Sequence, residues 1–305
     1  LERTGIQVIH NNVAEEFGSA RNLNLVEEDE AVKLFCDNSN TLLYTNSENS
    51  ISWIEQYLQY TDLPAKLKLF KNKILFRNLV QDMYPGYFYK GIALDLLYKT
   101  DVRDFPFPCI IKPAVGFFSL GVYKVDHPEE WMDTVKVIKE EIELIRNLYP
   151  PEVLHLGEFI VEECIIGDEF AVDCYFNREG KPVVLNIMKH IFSSVKDVND
   201  RVYIASKEII DKYNDSITEF LTEIGKRASL FNFPAHVEVR ISENGKVSPI
   251  EVNPLRFGGW CSTPDLAWYA YGINLYEYLF QQKQPDWNSL LEGKEGLVYS
   301  NIVLN

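Results

Sequence analysis

The alternation of apolar and polar residues is sharpest in one stretch of the last third of the chain. In Ala235-His236-Val237-Glu238-Val239-Arg240-Ile241, the apolar Val237, Val239 and Ile241 alternate with His236, Glu238 and Arg240. That is the period of a strand with one buried face. Val247-Ser248-Pro249-Ile250-Glu251-Val252-Asn253-Pro254 follows after Asn244-Gly245. This dipeptide suits a two-residue hairpin turn, whose central residues need positive φ. Counting back from such a turn, Glu243 faces Lys246, Glu238 faces Glu251 and His236 faces Asn253.

Elsewhere the pattern predicts a mixed chain. Residues 6–9 and 41–44 read as short strands, and 27–35 and 51–58 as helices, so residues 1–70 form a small α/β unit. Lys71-Asn72-Lys73 opens a helix over 74–83 that Pro85-Gly86 stops. Residues 107–125 read as two strands joined by a loop of small residues. Asp126-His127-Pro128 supplies an N-cap and a first-turn proline. Trp131, Val135, Ile138, Ile142 and Ile145 then mark a long amphipathic helix, which Pro150-Pro151 ends. Residues 159–165, 169–176 and 182–188 are strands, the last two joined by a turn at 178–181. Residues 190–214 show no clear period and read as a mobile loop beside a site. Ser216-x-x-Glu219 forms a capping box ahead of Ile217, Phe220, Leu221 and Ile224, and the aromatic stretch 265–281 is helical. There is no internal repeat or low-complexity linker.

The hairpin register has a chemical consequence. Opposed side chains on one sheet face lie about 4.5–5.5 Å apart at Cβ. Two carboxylates so placed repel by about 4 kcal/mol at an effective dielectric near about 20. A cation between Glu238 and Glu251 removes that cost. Two carboxylates and the Asn253 amide oxygen make a hard oxygen set that suits Mg²⁺, with Mn²⁺ as the alternative. The stretch alone is equally compatible with a solvated hairpin whose acids face water.

Composition narrows the function classes. The chain has 305 residues, 46% hydrophobic and 25% charged, an ordinary soluble globular composition with room for a sizeable core. A formal net charge of −15 argues against a general nucleic-acid or anionic-membrane binder, because both reward basic surfaces. An acidic protein that handles a polyanion needs metal ions and local lysines at the site. No run of about 18 uncharged apolar residues occurs, and the first residues lack a signal-peptide pattern, so the expected location is cytoplasmic. Cys36, Cys109, Cys164, Cys174 and Cys261 are odd in number and lack C-x-x-C spacing. They read as reduced and structural.

Two further stretches carry candidate chemistry. Phe107-Pro108-Cys109-Ile110-Ile111-Lys112-Pro113-Ala114-Val115-Gly116-Phe117-Phe118-Ser119-Leu120-Gly121-Val122 ends a buried strand on a lysine. A buried ammonium is costly unless an anion meets it. The following glycines and Ser119 let backbone N–H groups approach a phosphate, although no Lys-Ser/Thr pair follows them, so this is not a Walker A loop. A hairpin with a snorkelling lysine is the plain alternative. Phe159-Ile160-Val161-Glu162-Glu163-Cys164-Ile165-Ile166-Gly167-Asp168-Glu169-Phe170 runs strand–hinge–strand. Such a hinge can read an adenine edge, and it is also what an ordinary acidic turn looks like.

Order and spacing connect these stretches. A strand lysine with a Gly/Ser loop, then V-E-E-x-x-x-G-x-E, then A-H-V-E-V-R and I-E-V-N-P resembles the ATP-grasp superfamily over about residues 71–260, and within it the carboxylate–amine ligases. The resemblance implies an α+β / α/β protein. In it a small N-terminal α/β unit (1–70) precedes an ATP-grasp domain (71–305), whose two subdomains (71–165 and 166–305) grip ATP and Mg²⁺. By matching motif, Lys112 and Lys73 hold phosphates, and Gly116, Ser119 and Gly121 form the flap over them. Glu162, Glu163 and Ile165 line the adenine, and Glu169 binds ribose. Lys189 is a further phosphate ligand or a plain surface lysine. Glu238, Glu251 and Asn253 hold the metal, and Lys112 and Arg240 stabilise the transferred phosphoryl group. His236 contacts metal or substrate, or is simply hydrogen-bonded.

Three features depart from the pattern: Phe117-Phe118 makes the flap bulky, Arg256 follows Asn253 by three residues, and the N-terminal unit is short. The implied reaction joins a small-molecule carboxylate to an amine through an acyl phosphate, with no nucleic-acid or membrane partner and with a homodimer compatible. A carboxylase or nucleotide-precursor enzyme, and a non-catalytic ATP-binding module, are the alternatives.

Overall fold

The structure, a computed structural model, describes residues 6–9, 23–38, 41–46, 50–116, 121–145, 155–192, 201–258 and 262–303. The first part of the chain forms β1 (Gln7–Ile9), β2 (Asn24–Val26), α1 (Glu28–Asp37), α2 (Ser50–Tyr57), α3 (Leu63–Lys71) and α4 (Lys73–Val80). Then come β3 (Tyr89–Ala93), β4 (Cys109–Val115), β5 (Tyr123–Val125), α5 (Trp131–Ile145) and β6 (His155–Glu163). β7 (Asp168–Phe176), β8 (Pro182–His190), β9 (Val202–Ser206), α6 (Lys207–Arg227), β10 (Phe233–Ile241) and β11 (Val247–Pro254) follow. α7 (Thr263–Tyr271), α8 (Leu275–Phe280), α9 (Trp287–Leu290) and β12 (Val298–Ile302) complete the order.

β1 and β2 make a short parallel pair. The other strands form two antiparallel sheets, a smaller one of order β3-β6-β4-β5 and a larger one of order β11-β10-β7-β8-β9-β12. Each sheet has its own apolar cluster. Ile111, Phe159 and Val161 of the smaller sheet bury against Trp131, Val135, Ile138 and Ile142 of α5, the face that the helical period predicts. Phe170, Val172, Val237 and Val239 of the larger sheet cluster with Ile217, Leu221 and Ile224 of α6. Helix α4 touches both halves. Its Phe76 and Val80 belong to the larger core, while Ile74 lies over Gly91 of β3, where a Cβ would come within 2.8 Å of Ile74 Cδ1. Asn72 caps this helix by accepting from Ile74 N and Leu75 N, which aims its first residue, Lys73, into the space between the sheets.

Several sequence expectations change. Residues 41–44 are not a strand; Leu42, Leu43 and Tyr44 pack against the larger core instead, and β2 lies before α1 rather than after it. Asp126 does not cap α5: its side chain pairs with Lys124, and a 3₁₀ turn from Pro128 leads into the helix. The expected loop at 190–214 contains β9 and the start of α6. Ser206 is the true N-cap of α6, its Oγ accepting from Ile209 N at 3.3 Å, and Ser216 lies inside the helix. The buried face runs through Ile209, Ile210, Tyr213, Ile217, Phe220, Leu221 and Ile224, one continuous stripe that the polar residues around 211–216 interrupt only on the solvent side. Among the described residues no cysteine is in a disulfide, and Cys109 and Cys174 are buried; burial pushes the Cys109 thiol up to about 12. Cys261 lies outside the described residues. No described helix is long and apolar enough to cross a membrane.

The chain passes from the smaller sheet to the larger through the hinge between β6 and β7. Gly167 there has φ +137°, and a Cβ would sit 2.5 Å from Ile241 O and 2.8 Å from Ser242 N. Gly272 also has positive φ, +74°, but opens on empty space. Gly167→Ala is therefore expected to lower stability by about 3 kcal/mol, strain and clash together, against about 1 kcal/mol for Gly272→Ala. Urea unfolding of both variants checks the difference.

Candidate functional site

Glu238 faces Glu251 and His236 faces Asn253 in the β10–β11 ladder, as counting predicts, but by a different route. Ser242 rather than Glu243 closes the turn: Ser242 N donates to Lys246 O at 3.1 Å and Gly245 N to Ser242 O at 2.9 Å. Gly245 alone of the turn residues is left-handed, with φ +82°. This is a three-residue turn ending in a glycine bulge. Its extra residue moves the register by one. The pairing then slips again between Val239–Pro249 and Glu238–Glu251, leaving Ile250 as a bulge that moves it back. Arg77 holds that bulge, donating through Nη1 to Pro249 O at 2.7 Å and through Nη2 to Ile250 O at 3.3 Å.

The same guanidinium reaches the smaller sheet. Arg77 Nε donates to Glu162 Oε2 at 2.7 Å, and Lys112 Nζ lies 2.6 Å from Glu162 Oε1. All three side chains are buried. Burial pushes the Glu162 carboxyl up, but Arg77 and Lys112 outweigh it and bring it down to about 2. Lys73 Nζ lies 3.1 Å from Glu251 Oε2 and donates to Gly116 O at 3.3 Å. Burial likewise works against the Glu251 carboxylate, and Lys73, Lys112 and Lys71 together hold it below the usual range.

Asn253 Nδ2 donates to Glu251 Oε1 at 3.1 Å and to Glu238 Oε1 at 3.4 Å, while its Oδ1 accepts from Arg256 Nη2 at 2.9 Å. Both carboxylates thus lean on one positively polarised group. With the amide turned over, the three side chains present only oxygen, a set that fits Mg²⁺. Among the described residues no group of three His, Cys, Asp or Glu side chains offers a rival metal site.

The remaining candidates separate. Gly116 contributes its carbonyl to Lys73, and Gly121 has φ +73° with Pro113 close by; Ser119, Phe117 and Phe118 lie outside the described residues. The Glu162 side chain is engaged by Arg77 and Lys112. Glu163 N donates to Phe88 O at 3.1 Å, and Glu163 O accepts from Tyr87 Oη at 3.1 Å. Arg240, on the same strand face as Glu238, is engaged by Glu169. It pairs with Glu169 in the ladder, donates through Nε and Nη2 to Glu169 Oε2 (3.1 and 3.0 Å), and through Nη1 to Ile165 O (2.9 Å).

Lys189 is displaced from its expected place. It pairs with Phe170, whose ring packs on Tyr213 of α6 at 4.6 Å, and it meets Asp168 at 2.7 Å. That is the sheet surface opposite Glu169 and Glu238, because adjacent strand residues point to opposite faces. His190 takes the inner position, its Nδ1 3.1 Å from Glu169 Oε1. Arg77 went unread in the sequence, although it follows Lys73 by four residues and so shares its helix face.

Glu162 gives the site a pH signature. Its carboxyl is depressed from 4.5 to about 2, so its stabilisation is complete above pH 4.5 and is lost as pH falls through about 2. Glu162→Gln is expected to cost about 3 kcal/mol at neutral pH. The gap to the parent should narrow between pH 4.5 and about 2, as urea unfolding across a pH series would show.

The ATP-grasp domain model matches residues 105–264, more than half of the 305 residues. No sequence of a curated protein matches the chain. Among the solved structures that share its fold are these three. An L-amino acid ligase from Bacillus licheniformis aligns with TM-score 0.67 and 21% identity over 100% of this chain and 75% of the ligase. The biotin carboxylase domain of the Hydrogenobacter thermophilus 2-oxoglutarate carboxylase aligns with TM-score 0.62 and 12% identity, covering 94% and 64%. N5-carboxyaminoimidazole ribonucleotide synthetase from Thermotoga maritima aligns with TM-score 0.59 and 16% identity, covering 92% and 69%. With two antiparallel sheets facing each other across α4, and with the family's domain matched over most of both, the chain belongs to the ATP-grasp family.

Proposed function

We propose that the chain is an ATP- and Mg²⁺-dependent ligase that joins a carboxylate to an amine through an acyl phosphate. The observation that carries this reading is the meeting of Lys73 with Glu251, which stands opposite Glu238 and beside Asn253, with the Lys112 charge helping to hold the Glu251 carboxylate ionised. The carboxylase structure was solved with MgADP and bicarbonate, and the ligase neighbour acts on amino acids by its name; both support an ATP-dependent reaction at a carboxyl group.

In the first step a substrate carboxylate oxygen attacks the γ-phosphorus, the bond to the β,γ-bridging oxygen breaks, and ADP leaves. In the second the amine nitrogen attacks the acyl carbon, the acyl C–O bond breaks, phosphate leaves and the amine's proton passes to solvent. Lys112 and Lys73 exchange their carboxylate partners for phosphate oxygens, and the backbone at Gly116, Ser119 and Gly121 covers them. Glu238, Glu251 and Asn253 would hold Mg²⁺, which when bound would neutralise charge on the phosphates. Ile165 and Glu163 flank the base and Glu169 the ribose. Arg240, tied to Ile165 and Glu169, positions this nucleoside end rather than the transferred group. Catalysis on this reading is positioning and charge neutralisation, as is general for phosphoryl transfer.

Glu251→Ala and Lys112→Ala are each expected to lower ADP release from Mg·ATP by about 100-fold or more while circular dichroism stays unchanged. Activity retained in both variants overturns the assignment. ATP binding without ADP release for any pair in a panel of carboxylates and amines favours a non-catalytic module.

A further inference from the structure

The face of the larger sheet that carries Glu238 also carries a row of buried polar groups that the reaction above leaves unused. His236, Asp173 and Asn186 are ladder partners across β10, β7 and β8, so their side chains project to one surface. Asp173 and Asn186 are both 0% exposed. Asp173 Oδ1 accepts from Gly258 N at 3.0 Å and lies 2.7 Å from His236 Nδ1. Among the described residues, Asp173 Oδ2, Asn186 Oδ1 and Asn186 Nδ2 have no hydrogen-bond partner. Buried polar atoms are almost always satisfied in folded proteins, and here three unmet ones sit on two neighbouring residues.

The unmet set has a definite complement. Two oxygens call for N–H donors, and one amide N–H₂ calls for an acceptor next to them. Charge selects among the guests that could fill it. Among the described residues Asp173 pairs with no lysine or arginine; Arg77, Lys112 and Lys73 are engaged by Glu162 and Glu251, and Arg240 by Glu169. A buried carboxylate with only an imidazole and a peptide N–H beside it favours a cationic guest. The strand is also shaped here: pairing slips between Asp173–Asn186 and Cys174–Val184, a bulge of the kind that re-aims side chains beside sites. His236 links the row to the acids, its Nε2 lying 3.8 Å from Glu238 Oε1.

We propose that Asp173 and Asn186 bind the ammonium group of the amine-bearing substrate. That substrate is an amino acid or a similar primary amine with an oxygen acceptor next to its nitrogen, and His236 holds the Asp173 carboxylate in place. This rests on the ligase reading and names the substrate class of the same site.

The test uses the full chain with ATP and Mg²⁺. Thermal shifts of the parent protein are compared for the proteinogenic L-amino acids and their N-acetyl derivatives. At least one free amino acid should raise the melting temperature and its N-acetyl form should not; equal shifts, or none with any amino acid, overturn the proposal. Asp173→Asn and Asn186→Leu should then raise the KM for the amine at least about tenfold with the KM for ATP unmoved. An unchanged amine KM in both overturns the subsite and leaves a buried water as its occupant. Failure of the ligase reading looks different: no ADP release with any pair, while the amine-specific thermal shift persists and is lost in Asp173→Asn. Should either variant fail to fold by circular dichroism, the comparison of free and acetylated amino acids on the parent protein still decides.

Discussion

A single buried guanidinium constrains the rest of the site. Arg77 joins a carboxylate of the smaller sheet to two carbonyls of the larger, through bonds of 2.7, 2.7 and 3.3 Å. A planar fork with several fixed donors can do this where a lysine could not. Because its charge is matched by Glu162, and its other donors by the bulge carbonyls of Pro249 and Ile250, burial is tolerated. The same residue that ties the sheets together also fixes where Glu251 stands relative to Glu238. Helix α4 is the mechanical link: one turn of it carries Lys73 and Arg77, and each reaches both sheets.

The electrostatics follow from that arrangement. Each basic group aimed between the sheets already has an acidic partner, Lys112 with Glu162 and Lys73 with Glu251. Burial alone would push both acids up; Arg77 and Lys112 at Glu162, and Lys73, Lys112 and Lys71 at Glu251, keep both carboxyls ionised. A separate cluster forms where Arg240 and His190 converge on Glu169. Charge is thus sorted along the sheet face. Anion-seeking groups come from α4 and β4, and toward Asp173 the acids are met by the His236 imidazole.

What was legible in the sequence depended on range. The alternation through Val237, Val239 and Ile241 identified β10, and the spacing of Trp131, Val135, Ile138 and Ile142 identified α5, because each period is a local property. The opposition of Glu238 and Glu251 emerged from counting although the turn was miscounted, since the bulge at Ile250 offsets the error. Nothing local announces that bulge; its partner, Arg77, is remote in sequence. Lys189 shows how sharp parity is, since one residue decides between the face of Glu169 and Glu238 and the α6 face. Residues 190–214 looked featureless because the start of α6 mixes its buried isoleucines with Asp211, Lys212 and Asn214, and the apolar stripe becomes visible only over the whole helix. The partnership of Asp173 with His236 could not be read, because it joins two strands distant in sequence.

The doubly offset hairpin has one last implication. Beyond Ile250 the ladder is out of step with the part that carries the acids, and Arg77 clasps the junction. The tip at residues 243–245 is therefore insulated from the carboxylate pair. Its length can change without moving them, whereas removing Ile250 alone would leave Glu251 opposite Glu238 in an unbroken ladder and take away a carbonyl that Arg77 holds.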